Sequence, residues 1–165
     1  RDEGVDPNTV TYNTFISLCT KAQRWENAIA ALHQLEEKGL RPTVVTYGSL
    51  ITACGRSGRP DKALKFLREM QAKHLQPSVP AVSSAISACE KENHWQDALN
   101  LFQSLSMEDG PGPDLTAYNA TISACEKGAR WEEALGLLQE LEGAIQPEAA
   151  KERWNGGARR PAPDV

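Results

Sequence analysis

The sequence has no strong excess of either charge: 18 Lys and Arg stand against 22 Asp and Glu, for a formal net charge of -4. That balance excludes a protein that holds nucleic acid by overall basicity. No apolar run approaches the ~18 residues that a bilayer-crossing helix needs, so a helical membrane span is excluded as well. The four cysteines, Cys19, Cys54, Cys89 and Cys125, lie 35, 35 and 36 residues apart, and no pair has the close spacing of metal ligands. Catalytic constellations are missing too. His33, His74 and His94 have no recurring partner, and neither the H-x-E and P-C-x-x-C pattern of the zinc deaminases nor a cluster of aspartates is present. The expectation is a binding module without cofactor or metal, with any catalytic domain lying outside this chain. The chain opens on Arg1 with no signal or transit segment ahead of it, and so reads as an excerpt or a processed product.

What the sequence has is a repeat. Superposing the four cysteines also aligns Ile16, Ile51, Ile86 and Ile122, then Ala28, Ala63, Ala98 and Ala134. The phrase ISACEK occurs at 86–91 and again at 122–127. Trp25, Trp95 and Trp131 share a column in which the second unit has Pro60, and Pro42, Pro77, Pro113 and Pro147 close the units. The repeats run 9–43, 44–78, 79–114 and 115–148, with 1–8 as the end of a preceding repeat and 149–165 as a cap and disordered tail. Within the first, Tyr12, Phe15, Ile16 and Cys19 follow helical spacing, and Trp25, Ala28, Ile29, Leu32 and Leu35 do so again. Each repeat is therefore two amphipathic helices joined by a short polar break. A single hairpin of this size cannot bury both its stripes, so neighbours stack into an all-α solenoid with one continuous core. One thiol per repeat then reads as a small buried apolar group. Ala149 to Trp154 are expected to cover the last apolar face, and Gly156 to Val165 to be disordered.

At 100° per residue, Val10, Asn13, Ser17 and Lys21 fall on the side of the first helix opposite its apolar stripe. Followed through the repeats they become four rows: Val10, Val45, Pro80 and Thr116; Asn13, Gly48, Ser83 and Asn119; Ser17, Thr52, Ser87 and Ser123; Lys21, Arg56, Lys91 and Lys127. A cation in every unit, with Arg24, Arg59 and Arg130 as a second row, concentrates positive charge locally although the total is negative. Evenly spaced cations suit a polyanion with evenly spaced phosphates, and the hydroxyl row adds hydrogen bonds. Rigid apolar or Pro flanks offer a surface for a flat base, and the one row that varies is the natural reader of base identity. A helical scaffold whose basic rows meet an acidic peptide is the alternative.

Residues 10–43, VTYNTFISLCTKAQRWENAIAALHQLEEKGLRPT, and 45–78, VTYGSLITACGRSGRPDKALKFLREMQAKHLQPS, resemble the pentatricopeptide repeat. The landmarks are TYN or TYG opening the first helix, a Cys seven residues after the Tyr, and a closing Pro, and the match covers residues 4–148. The resemblance implies a right-handed α-solenoid that binds single-stranded RNA along its concave face, one base per repeat, as a monomer acting in a mitochondrion or plastid with protein effectors. It implies that the residue after the Tyr column reads each base together with the last residue of the repeat: Asn13 with Thr43, Gly48 with Ser78, Ser83 with Asp114, and Asn119 with Glu148. By the same resemblance the two Asn pairs read pyrimidines and the Ser-Asp pair guanine, while the base at Gly48 stays open. Val10, Val45, Pro80 and Thr116 would flank the bases, and Lys21, Arg56, Lys91 and Lys127 would hold phosphates. The sequence departs from the pattern in repeat three, which has Val82 in the Tyr column and one extra residue within 107–113, and in repeat four, which is one residue short.

Overall fold

The computed structural model describes residues 6–107 and 112–145, which form eight α-helices with no strand among the described residues. They pair as α1 (Thr9–Lys21) with α2 (Trp25–Glu37), α3 (Val44–Arg56) with α4 (Pro60–Ala72), α5 (Val79–Lys91) with α6 (Trp95–Ser106), and α7 (Leu115–Lys127) with α8 (Trp131–Ile145).

Local chemistry sets the helix ends. The residue that closes one repeat is the N-cap of the next: the side chains of Asn8, Thr43 and Asp114 accept from the backbone N–H of Thr11, Thr46 and Ala117. Thr43 and Thr46 bond reciprocally as a capping box. Ser78 caps α5 without a side-chain bond, and Pro80 fills that helix's first turn, where a backbone N–H has no intrahelical partner. Each first helix stops in a left-handed residue, at Gln23, Gly58, Asn93 and Ala129. The next N–H then turns back to the cysteine carbonyl: Arg24 to Cys19, Arg59 to Cys54, His94 to Cys89 and Arg130 to Cys125, at 2.8–2.9 Å. The second helices open with Glu26, Asp61, Asp97 and the pair Glu132 and Glu133 in their first turns, matching the positive end of the helix dipole.

Packing follows the repeat. Along the chain α1, α3 and α5 each touch the next first helix directly, whereas α2, α4 and α6 touch only their own partner and the first helix that follows. The first helices therefore form a close inner layer and the second helices a spread outer one, a curved α-solenoid with the inner layer on the concave side. The core is continuous through Ile16, Ile51 and Ile86, the four cysteines, and Ala28, Ala63 and Ala98, all buried. Burying one Ile side chain contributes about 1.5–3 kcal/mol. Tyr12, Tyr47 and Tyr118 are also buried, and Val82 occupies the same column in repeat three without opening the core.

The extra residue of repeat three is absorbed before Asp114, which keeps its N-cap position on α7. Helix α8 continues past Gly143 to Ile145, two residues longer than the 13 of α2 and α4. The expectations for Glu148, for a cap at 149–154 and for the tail at 156–165 lie outside the described residues.

Candidate functional site

The four row cations are the last residues of the first helices: Lys21, Arg56, Lys91 and Lys127, all exposed. A cation there is favoured by the helix dipole, and the stacking gives two of them a further contact. The Lys91 ammonium donates to the carbonyl of Arg56 at 2.9 Å, and that of Lys127 donates to the carbonyl of Glu90 at 3.1 Å. Each thus caps the final turn of the preceding first helix, which fixes the stem of the side chain along the edge of the inner layer. Among the described residues no carboxylate lies within ion-pair distance of Lys21, Arg56 or Lys91, whereas Lys127 meets the Glu90 carboxylate at 2.5 Å.

One turn earlier, the hydroxyls of Thr52 and Ser87 donate to the carbonyls of Gly48 and Ser83, at 2.8 and 3.0 Å. Having given their proton to the helix, both present lone pairs outward. Ser123 instead donates to Glu90 Oε1 at 3.3 Å.

Residues far apart in sequence meet at the row that varies. Asn13 Nδ2 lies 3.4 Å from Thr43 Oγ1, and Asn13 Oδ1 accepts from the Thr46 hydroxyl at 2.6 Å. With its oxygen taken, the amide has N–H to offer. Ser83 is buried at 2% exposure, with its hydroxyl within reach of the Val79 carbonyl and of Asp114 Oδ1 at 2.9 and 2.8 Å. The part of that pair open to a ligand is therefore the half-buried Asp114 carboxylate. Gly48 leaves a gap, since a Cβ built there would meet nothing within 4 Å, and Ser78 beyond it is exposed. Asn119 is exposed, while its expected partner Glu148 lies outside the described residues. Val10 and Val45 stand out from the first turns at 69% and 61% exposure, and Pro80 and Thr116 are exposed at the equivalent places.

All four rows converge in one cleft of about 300 Å³ between α3, α5 and α7. Pro80 and Thr116 line it beside Ser83 and Asp114, Ser87 lies a turn on, and Arg56 and Lys91 complete its lining. The cleft combines an apolar edge, a hydrogen-bonding acid and two cations, a set that takes a flat polar ring joined to anions.

Two features were not anticipated from the sequence. Thr46 orients the Asn13 amide, and its available signal was the capping-box spacing after Thr43. The second cationic row serves the seams between repeats: the Arg59 guanidinium lies 5.1 Å from the Trp25 ring centre and that of Arg130 4.8 Å from Trp95, each a cation-π contact to the preceding repeat. Arg130 is also held by Glu133. Where Pro60 replaces the Trp, His94 pairs with Asp97 at 3.4 Å. Burial pushes the Cys54 and Cys89 thiols up to about 12 and raises that of Cys125, so these are packing groups rather than nucleophiles.

The PPR repeat family model matches residues 7–56 and 42–89, and the PPR repeat model matches 81–109 and 116–144. No curated protein sequence matches the chain. The crystal structure of the pentatricopeptide repeat protein PPR10 from maize is similar over 86% of this chain at 23% identity, with a TM-score of 0.69. PPR10 in complex with an 18-nt psaJ RNA element is similar over 85% of the chain at 29% identity, with a TM-score of 0.71. This chain spans 20% of the length of either. The PPR domain of Arabidopsis thaliana protein-only RNase P 1, in complex with tRNA, shares the fold over 93% of this chain and 92% of its own at 12% identity, with a TM-score of 0.60.

Proposed function

Because the chain belongs to the pentatricopeptide repeat family, we propose that it binds single-stranded RNA along the inner layer of first helices, one base per repeat. The observation that carries this reading is the cleft between α3, α5 and α7, in which flank, reader, hydroxyl and cation sit together. The RNA complex of the similar PPR10 supports it. Arg56 and Lys91 hold adjacent phosphates, Pro80 and Thr116 pack against a base, and the base edge meets Asp114. An anionic acceptor there favours a base that presents N–H donors, as the Watson-Crick edge of guanine does. The Asn13 amide, its oxygen held by Thr46, donates to the carbonyl oxygen that every pyrimidine carries. The preferred order is pyrimidine, open, guanine, pyrimidine, read 5' to 3' with the chain. The module guides processing, stabilisation or translation of transcripts in a mitochondrion or plastid.

The test is binding to a set of short single-stranded RNAs that vary one base at a time. Asn13→Ala with Asn119→Ala shifts base preference, while Lys21→Ala weakens every sequence alike. Equal affinity for all homopolymers removes the base reading, and displacement of RNA by an acidic peptide at equal concentration favours the protein scaffold instead.

A further inference from the structure

The phrase ISACEK places a glutamate directly before the row lysine in repeats three and four. Adjacent helical residues do not face each other, so Glu90 does not pair with Lys91. It reaches forward to the next repeat, where its carboxylate accepts from the Lys127 ammonium at 2.5 Å and from the Ser123 hydroxyl at 3.3 Å. Those two groups are the cation and the hydroxyl that repeat four contributes to the groove. The glutamate side chain is 20% exposed and the lysine 42%, so the pair lies at the groove's edge with solvent on one side.

The same column is neutral in the earlier units. Thr20 precedes Lys21 and spends its hydroxyl on the carbonyls of Ile16 and Ser49. Gly55 precedes Arg56 and leaves the Lys91 ammonium to the carbonyls of Gly55 and Arg56. A side chain at position 55 would push α3 and α5 apart, because its Cβ would lie 2.3 Å from the Ser84 carbonyl oxygen. The groove is thus cationic through Lys91 and neutralised at Lys127.

We propose that Glu90 competes with RNA for the groove at repeat four: its carboxylate fills the anion position formed by Lys127 and Ser123, and an RNA phosphate gains that position only by displacing it. The inference rests on the RNA-binding reading above. A carboxylate offers two oxygens where a phosphodiester offers two, so the occupant mimics the ligand in charge and in hydrogen-bond acceptors. The strand is gripped first at Arg56 and Lys91, and repeat four engages only when the bases there fit well enough to offset the exchange.

The experiment measures the anisotropy of a labelled single-stranded RNA of about 12 nucleotides against the whole chain over a range of KCl. The variants are Glu90→Gln, Glu37→Gln, Lys21→Ala, and Glu90→Gln combined with Lys127→Ala, with helicity checked by circular dichroism. Glu37 is exposed on the outer helix α2, so its substitution matches the change in net charge without touching the groove. Glu90→Gln tightens binding about fivefold and steepens the salt slope by about 0.7, while Glu37→Gln changes neither. Adding Lys127→Ala removes most of the gain. If Lys21→Ala weakens binding yet Glu90→Gln equals Glu37→Gln, the occupied anion position is overturned and RNA binding stands. If the folded wild type and every variant fail to bind at low salt, the RNA reading fails and takes this inference with it.

Discussion

The cysteines show what burial does to a reactive group. Cys54 and Cys89 are held as neutral thiols, pushed from the ordinary 9.0 to about 12, and burial raises Cys125 as well. In the native protein these three resist alkylation by iodoacetamide at pH 8, and mass spectrometry finds them modified only after denaturation; prompt native labelling would contradict their place in the core. Between about pH 9 and 12 the unfolded thiols lose protons that the folded ones keep, so stability is full below 9 and falls as pH rises through that window. Tyr118, raised to about 12 by burial and its hydrogen bond to Glu140, adds to the same decline. Ala129 is the other informative residue. It holds φ +54 in the turn where repeat two has Gly58 at φ +62. Left-handed backbone costs an L residue roughly 1–2 kcal/mol, partly offset by the entropy glycine loses on folding. Ala129→Gly therefore stabilises by about 0.5–1 kcal/mol in urea unfolding, and a loss of stability would show the turn is not strained.

Helix by helix, the inner layer depends on close approach. Gly55 lets α3 meet α5 at the Ser84 carbonyl, and Gly55→Ala, although alanine is the better helix former, costs about 2 kcal/mol through overpacking; an unchanged denaturation midpoint would sink the proposed closeness. The helices themselves were legible in the sequence because their signals are local. Tyr12, Ile16 and Cys19 repeat at helical spacing, and Ala28, Leu32 and Leu35 do so again in the second helix. Contacts between helices were not legible, since they depend on how far one helix is offset from the next. Thr46 on Asn13, Glu90 on Lys127 and Arg59 on Trp25 all cross a repeat boundary. A column alignment shows that Arg59 and Lys91 are both recurring cations. Only the packing sends one to a tryptophan at the seam and the other to the groove.

As a whole, the molecule is a one-dimensional array in which each repeat is stabilised by its neighbours. Phe15 and Leu18 on α1 are exposed at 46% and 60%, whereas their counterparts Leu50 and Ala53 on α3 are fully buried. Trp131, Leu135 and Leu138 on α8 are exposed likewise. Amide hydrogen exchange is accordingly slowest in α3 and α5 and fastest in α1 and α8; uniform protection along the chain would contradict additive stacking. In the proposed RNA complex the row cations Lys21, Arg56 and Lys91 each release counterions to one phosphate, whereas Lys127 is held by Glu90. The most direct measurement is the salt dependence of single-stranded RNA affinity for Arg56→Ala and Lys91→Ala, beside Arg68→Ala on the outer helix α4 as a control. Each inner-layer substitution weakens binding to every sequence and flattens the slope by about 0.7, and Arg68→Ala leaves both as they were. Equal effects from all three substitutions, or none from Arg56 and Lys91, would mean that RNA does not follow the inner layer.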